Sequence, residues 1–124
     1  MNSLGTHLLL ELNGCNETFL DDVVYIEGAM VGAAKEADAT IVGQSFHKFR
    51  PFGVTGIVAI AESHLCIHTW PEHKYAAVDI FTCGISFKPH KAAQLIIDRL
   101  HCDSPSITEV RRGILLEPAS VASA

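Results

Sequence analysis

The residue types best suited to catalysis or metal binding are concentrated in one short segment, residues 61–83. It holds three of the seven histidines, the only tryptophan and two of the four cysteines. His64, Cys66 and His68 alternate along a predicted strand, so their side chains would project from one face, with His73 beyond the next turn. Imidazole and thiolate groups could bind zinc there. A row of His and Cys side chains on a strand more often lies in the core or on the surface without binding a metal. Its spacing matches no zinc module, so the sequence predicts no metal site.

Ser63 offers a second kind of chemistry, because it follows Glu62 at a predicted tight turn between two strands. A strained peptide there could let Ser63 Oγ attack the Glu62 carbonyl and convert the amide into an ester, while His68 moves the protons. Elimination would then leave dehydroalanine, and hydrolysis would leave a pyruvoyl group. Most turn serines only cap or hydrogen-bond, so the Glu-Ser pair alone leaves both interpretations open.

The elements that must position these residues alternate between strand and helix patterns. We predict a strand at residues 7–12, a helix at 18–37 with Asn16 as its N-cap, strands at 40–49, 54–61, 65–70 and 75–81, a helix at 89–100 and a strand at 106–112. This order predicts a single domain spanning residues 1–124. Its fold class is α+β, a two-layer sandwich with an antiparallel sheet and two helices on one face.

The composition limits the choice of partners. Nine basic against fourteen acidic residues give a net charge of −5, and no basic run is longer than Arg111-Arg112. These features argue against a nucleic-acid surface and against an anionic membrane. The hydrophobic fraction is 48% and the mean hydropathy is +0.26, which is more apolar than a small domain needs for its own core. We therefore expect some surface to be buried between subunits.

The expected location of the protein and the redox state of its cysteines follow from features that the sequence lacks. No apolar stretch approaches the roughly 20 residues of a membrane span, and residues 1–13 contain no basic region or cleavage site typical of a secretory signal. We therefore predict a cytoplasmic protein. Cys15, Cys66, Cys83 and Cys102 form no C-x-x-C pair, and in a reducing compartment we expect free thiols.

Residues 62–83 resemble the signature of the small prokaryotic S-adenosylmethionine decarboxylases. The resemblance rests on two long and compositionally unusual blocks, ESHLCIHTWPE and DIFTCG, and it extends over roughly residues 3–112. Shorter similarities lie at residues 3–8, 39–42, 47–49 and 51–54. Members of this family carry a pyruvoyl group, which they make by cleaving themselves between glutamate and serine.

The resemblance implies a role for each reactive residue in the segment. The chain would cleave between Glu62 and Ser63, and Ser63 would become the pyruvoyl group. His68 would handle protons during self-processing, and Cys83 would be the acid that reprotonates the substrate α-carbon. The pyruvoyl ketone can form a Schiff base with the substrate amine and delocalise the charge left by loss of CO₂, so no separate cofactor is needed.

The resemblance also implies substrate contacts. Phe49 would stack on the adenine ring and attract the sulfonium cation, and Glu72 would accept hydrogen bonds from the ribose hydroxyls. Trp70 could be either a pocket wall or part of the core. Thr55 stands where the family has a serine that assists processing; its hydroxyl can still form a hydrogen bond, but its methyl group restricts the rotamers.

We therefore predict a pyruvoyl-dependent S-adenosylmethionine decarboxylase that supplies decarboxylated S-adenosylmethionine for spermidine biosynthesis. Its partners would be S-adenosylmethionine and a second copy of itself, in a homodimer of cleaved protomers with composite active sites and chains 1–62 and 63–124. One alternative is an arginine or ornithine decarboxylase of the same family, although Phe49 and Glu72 favour a nucleoside. Another is a non-enzymatic dimer with a His/Cys metal site.

Overall fold

A computed structural model describes residues 3–116 of the chain. The elements are β1 (Ser3–Asn13), α1 (Glu17–Leu20), α2 (Val23–Glu36), β2 (Ile41–Lys48), β3 (Val54–Ile60), β4 (Ser63–Trp70), a 3₁₀ turn (Pro71–His73), β5 (Tyr75–Thr82), α3 (Pro89–Arg99) and β6 (Ser104–Ile114). The six strands form one sheet in the order β2-β3-β4-β5-β1-β6. Every neighbouring pair is antiparallel, which confirms the predicted antiparallel sheet.

The structure has three α-helices where the sequence predicted two. Asn16 caps α1 as expected, since its side chain accepts a hydrogen bond from Phe19 N at 3.0 Å. The predicted helix at residues 18–37 is broken, however, because Asp22 caps a second helix by accepting from Tyr25 N at 3.0 Å. Two consecutive aspartates favour such a break, since a short carboxylate satisfies backbone N–H groups better at a cap than inside a helix. None of the helices within residues 3–116 is long and apolar enough to cross a membrane.

The two faces of the sheet differ because strand side chains alternate. One face packs with α2 and α3 into a single core, to which β1 contributes Leu8, Leu10 and Leu12, each at most 1% exposed. The opposite face, which we call the open face, carries the intervening residues. Leu9 and Ile57 lie there and are 37% and 41% exposed. The histidines and cysteines of β4 also lie on this open face.

Candidate active site

The predicted cleavage bond lies in a strained hairpin turn. Ala61 and Glu62 connect β3 to β4, and the flanking residues Ile60 and Ser63 pair directly. Glu62 has a φ of 61°, a left-handed conformation that costs a non-glycine residue roughly 1–2 kcal/mol. Ser63 is the first residue of β4 and not a turn residue as the sequence predicted. The Ser63 hydroxyl is therefore held by the sheet next to a strained peptide.

Cys83 supplies two donors to the Glu62 carbonyl oxygen. Its Sγ donates to Glu62 O at 2.8 Å, and its backbone N–H donates to the same oxygen at 3.3 Å. The sheet register creates this contact, because Ser63 pairs with Thr82, the residue before Cys83. Two donors that converge on one carbonyl oxygen polarise it and would stabilise an oxyanion formed there. This arrangement suits attack on the Glu62 carbonyl carbon.

Thr82 orients the Ser63 hydroxyl, a contact that sequence reasoning missed. Ser63 Oγ donates to Thr82 Oγ1 at 2.8 Å, and Thr82 Oγ1 also accepts from Gly84 N at 3.1 Å. Thr82 is 5% exposed, so its position is fixed by packing. The only signal in the sequence was its place directly before Cys83. We call Glu62, Ser63, Thr82 and Cys83 the cleavage cluster.

The remaining predicted site residues except Glu72 form a second group, which we call the distal cluster: Phe49, Thr55, His68 and Trp70. Phe49 directly follows β2, and its ring centroid lies 4.6 Å from that of His47, which pairs with Thr55. Thr55 pairs with His68 across β3 and β4, and its Oγ1 lies 3.0 Å from His68 Nδ1. The His68 and Trp70 ring centroids are 6.5 Å apart. Phe49 and Trp70 are 46% and 41% exposed, so Trp70 is not core, and both aromatic faces are accessible to a ligand.

Within one chain, the two clusters lie at opposite ends of β4. His68 is five residues from Ser63 along the strand, about 17 Å at the usual rise. Glu72 lies farther still, in the exposed 3₁₀ turn after Trp70. The structure therefore brings Glu62, Ser63 and Cys83 together, and it places His68 with Thr55 instead of Ser63.

The open face beside the cleavage cluster contains a basic and aromatic group that the sequence did not single out. Arg112 Nη1 lies 3.2 Å from His7 Nδ1, and the guanidinium carbon lies 5.8 Å from the Phe81 ring centroid. Because arginine can only donate, His7 Nδ1 must accept and Nε2 must carry the proton. His7 Nε2 is buried and has no hydrogen-bond partner among residues 3–116.

The histidine and cysteine row does not form a metal centre in the described part of the chain. Among residues 3–116, no group of three or more His, Cys, Asp or Glu side chains is placed to hold a metal ion. Cys66 behaves as a partly buried thiol, because burial, followed by the charge of Asp79, raises its pKa. We infer that Cys66 is protonated and unreactive at neutral pH.

Comparisons with known proteins show the family to which the sequence is similar. A sequence model of the family described as "S-adenosylmethionine decarboxylase" matches residues 6–113. A protein of Thermodesulfovibrio yellowstonii is 56% identical over 115 residues, covering 93% of this chain and 85% of the relative. A protein of Clostridium tetani is 49% identical over 121 residues, covering 98% and 96% respectively. Both relatives are named "S-adenosylmethionine decarboxylase proenzyme".

A solved structure supports the fold as well. The crystal structure of the adenosylmethionine decarboxylase from Aquifex aeolicus VF5 superposes on this chain with a TM-score of 0.87 and 38% sequence identity. The match covers 94% of this chain and 97% of that chain. The similarity in fold therefore extends over almost the whole chain.

Proposed function

The chain belongs to the S-adenosylmethionine decarboxylase family, and we propose that it cleaves itself between Glu62 and Ser63 and then decarboxylates S-adenosylmethionine. The product, decarboxylated S-adenosylmethionine, would supply spermidine biosynthesis. One observation carries the proposal: the carbonyl oxygen of the strained Glu62 accepts from both Cys83 Sγ and Cys83 N, directly before a serine. A turn that only reverses the chain does not require two hydrogen-bond donors on one carbonyl oxygen.

Self-cleavage would begin when Ser63 Oγ attacks the Glu62 carbonyl carbon. Cys83 stabilises the oxyanion, and Thr82 holds the attacking hydroxyl in place. The Glu62–Ser63 C–N bond then breaks, and the proton that leaves Ser63 Oγ is taken up by the amine, which leaves an ester. Loss of the Ser63 α-proton expels the Glu62 carboxylate and leaves dehydroalanine. Water then replaces the amine, ammonia departs, and a pyruvoyl group remains at the start of chain 63–124.

The same cluster suits decarboxylation after cleavage. The pyruvoyl ketone supplies an electron sink for the electrons that remain when CO₂ leaves the substrate. Cleavage also frees the Cys83 thiol, because its acceptor in the intact chain is the carbonyl oxygen of Glu62. Cys83 is exposed. It lies directly after the end of β5, two positions beyond Phe81. The thiol can therefore donate a proton to the substrate α-carbon.

The separation of the clusters supports a homodimer with composite active sites. Two open faces packed with their strands in opposite directions would bring the distal cluster of one protomer to the cleavage cluster of the other. The open face is apolar enough for such burial, since Leu9, Ile57 and Val110 are each 37% to 41% exposed on it. The unpartnered His7 Nε2 lies on the same face. His68 of one protomer would then serve the Ser63 of its partner.

Paired variants test the composite site. Cys83→Ala removes the proposed acid from the cleavage cluster, and Phe49→Ala removes the proposed adenine contact from the distal cluster. A heterodimer of the two single variants has one site with both substitutions and one site with neither. We expect about half of the wild-type activity per dimer, because one of two symmetric sites is intact. Co-expression with two affinity tags, sequential purification and CO₂ release measure it.

The matched control is the double variant, Phe49→Ala with Cys83→Ala on one chain, paired with a wild-type chain. If sites are composite, each site of this heterodimer carries one substitution and activity stays low. If each site belongs to one chain, this heterodimer is the half-active one and the pair of single variants is inactive. The two arrangements therefore give opposite results.

Substrate choice depends on Phe49 and Glu72. Loss of a base–aromatic stack costs on the order of 1–3 kcal/mol, so we expect Phe49→Ala to raise KM for S-adenosylmethionine about ten- to a hundredfold. Glu72→Gln should weaken binding less than Glu72→Ala, because the amide keeps one acceptor oxygen. Both variants should still cleave themselves. CO₂ release from S-adenosylmethionine, arginine and ornithine measures the preference.

Two results would contradict the nucleoside pocket while leaving the cleavage chemistry intact. The first is a wild-type preference for arginine or ornithine. The second is an unchanged KM for S-adenosylmethionine in Phe49→Ala. Val42→Ala is a suitable control, since Val42 is 69% exposed near the opposite end of β2 and has no proposed substrate contact.

A further inference from the structure

Two cysteines lie opposite each other where the loop after β1 meets the loop after α3. Asp103 N–H donates to Gly14 O at 3.2 Å, and these two residues are the neighbours of Cys102 and Cys15. This bond continues the direction of the last strand pair, Asn13 with Ser104, although Gly14 has a φ of 73° and ends the strand. Cys15 and Cys102 are the next residues along the two segments.

The backbone on the other side of the pair is also fixed. Asn16 N–H donates to Leu100 O at 3.0 Å. His101 has a φ of 51° and ends α3 in a Schellman motif, in which His101 N–H donates to Asp98 O and Cys102 N–H donates to Ile97 O, each at 3.2 Å. Backbone hydrogen bonds therefore hold both Cys15 and Cys102 from each side, so the two side chains cannot drift apart without breaking local structure.

The two thiols contact neighbouring carbonyl groups at the end of β1. Cys15 Sγ donates to Leu12 O at 3.5 Å, and Cys102 Sγ donates to Asn13 O at 3.1 Å. Leu12 and Asn13 are consecutive residues, so the two thiols bind adjacent carbonyl groups of one strand, and Cys102 is among the causes that raise the pKa of Cys15. A disulfide between them would need Cβ atoms about 3.5–4.5 Å apart.

We propose that Cys15 and Cys102 form a reversible disulfide that covalently joins the two halves of the molecule. Cys15 lies in chain 1–62 and Cys102 lies in chain 63–124, so the bond would reconnect covalently what self-cleavage separates. The joining of two chains rests on the proposed cleavage. The disulfide itself does not, because both thiols already contact adjacent carbonyl groups of β1 in the uncleaved chain.

A low-molecular-weight disulfide such as oxidised glutathione is the oxidant. The thiolate of Cys102 attacks one sulfur of this disulfide, forming a mixed disulfide and releasing one thiolate. Cys15 then loses its proton to water and attacks the Cys102 sulfur, which releases the second thiolate. In sum, two protein thiols are oxidised to one disulfide, and one small disulfide is reduced to two small thiols.

The environment of each thiol sets this order of events. Cys15 is 2% exposed, whereas Cys102 is only partly buried. Burial, the adjacent Cys102 and the nearby Asp103 raise the pKa of Cys15 to about 12. Cys102 is therefore the thiol that meets the oxidant first, and Cys15 is the resolving thiol, whose reaction is intramolecular.

The bond would lie far from the cleavage cluster. Along β1, Asn13 pairs with Tyr75 near the two cysteines, whereas Thr6 pairs with Thr82 at the cleavage cluster. Seven residues of strand separate these pairs, roughly 23 Å. We therefore expect the disulfide to leave the geometry of the cleavage cluster unchanged.

Gel electrophoresis and intact mass test the proposal on the purified wild-type protein. The protein is incubated under native conditions with oxidised glutathione, blocked with iodoacetamide and compared with a sample kept reduced. Without reductant, we expect one linked species alkylated only at Cys66 and Cys83 and about 2 Da lighter than the sum of the two chains carrying those same two alkyl groups, since two thiol hydrogens are lost. With reductant, the same sample should give two chains. Proteolytic mapping should find the Cys15 and Cys102 peptides joined.

Matched variants decide between this bond and any other. Cys102→Ser keeps a donor for Asn13 O and should abolish the linked species, whereas Cys66→Ser should leave it unchanged. A stable glutathione adduct on Cys102 without closure, or a linked species that persists in Cys102→Ser, would overturn the proposal. A single band on the reducing gel would instead refute self-cleavage, and the joined peptides would still report the disulfide.

Discussion

Ser63→Ala should leave the chain as a single uncleaved species, even after long incubation under conditions in which the wild-type protein is fully processed. The substitution removes the only hydroxyl positioned by Thr82 beside the Glu62 carbonyl. It leaves the strained turn and both Cys83 donors in place. Strain and polarisation without a nucleophile should not break the peptide bond, so the expected loss of cleavage is complete. Intact mass spectrometry measures it.

The wild-type masses make this test specific. Hydrolysis adds about 18 Da and ammonia loss removes about 17 Da, so the chains 1–62 and 63–124 should together weigh roughly 1 Da more than the precursor. Ser86→Ala is the matched control, because Ser86 is an exposed serine that lines the same small cavity as Glu62. It should cleave like the wild type. A free serine amine on the second chain would mean simple proteolysis and would refute pyruvoyl formation.

Cys83→Ala should slow cleavage and abolish most decarboxylation. Loss of one oxyanion donor commonly costs 10²–10³ in rate, but S–H is a weak donor and the Cys83 N–H remains, so we expect cleavage about 10- to 100-fold slower. Decarboxylation by the fully cleaved variant should fall about 10²–10⁴-fold, the usual contribution of a positioned acid. Time-resolved gels measure the first rate and CO₂ release measures the second.

Cys83→Ser separates the two roles of this residue. The hydroxyl can still donate to the Glu62 carbonyl, so cleavage should remain close to the wild-type rate. Decarboxylation should stay low, because a hydroxyl is a much weaker acid than a thiol. Normal turnover by cleaved Cys83→Ala would refute the assignment and would require another acid near the substrate α-carbon.

The prediction of the fold from sequence succeeded where the pattern was local and regular. Short apolar or β-branched runs bounded by turn residues, such as residues 7–12 before Asn13-Gly14, identified the strands, and the antiparallel sheet follows from short turns between them. The error in the first helix had a local cause that periodicity does not detect. Asp22 turns its side chain back to cap a new helix, while Asp21 accepts from Gly53 N at 2.9 Å. That second contact depends on tertiary structure and could not be predicted from spacing.

The sequence by itself determined the chemistry of this protein. The Glu62-Ser63 step, the histidines and the Cys83 block were recognisable because reactive residue types and their order along the chain are properties of the sequence. Tertiary structure decided which of them meet. Strand register alone places Cys83 on the Glu62 carbonyl and Thr82 on Ser63, because a shift of one residue would turn these side chains to the opposite face. His68 lies about 17 Å from Ser63 along the same strand. Pairing between strands places His68 beside Thr55 instead, and no pattern in the sequence reveals that pairing.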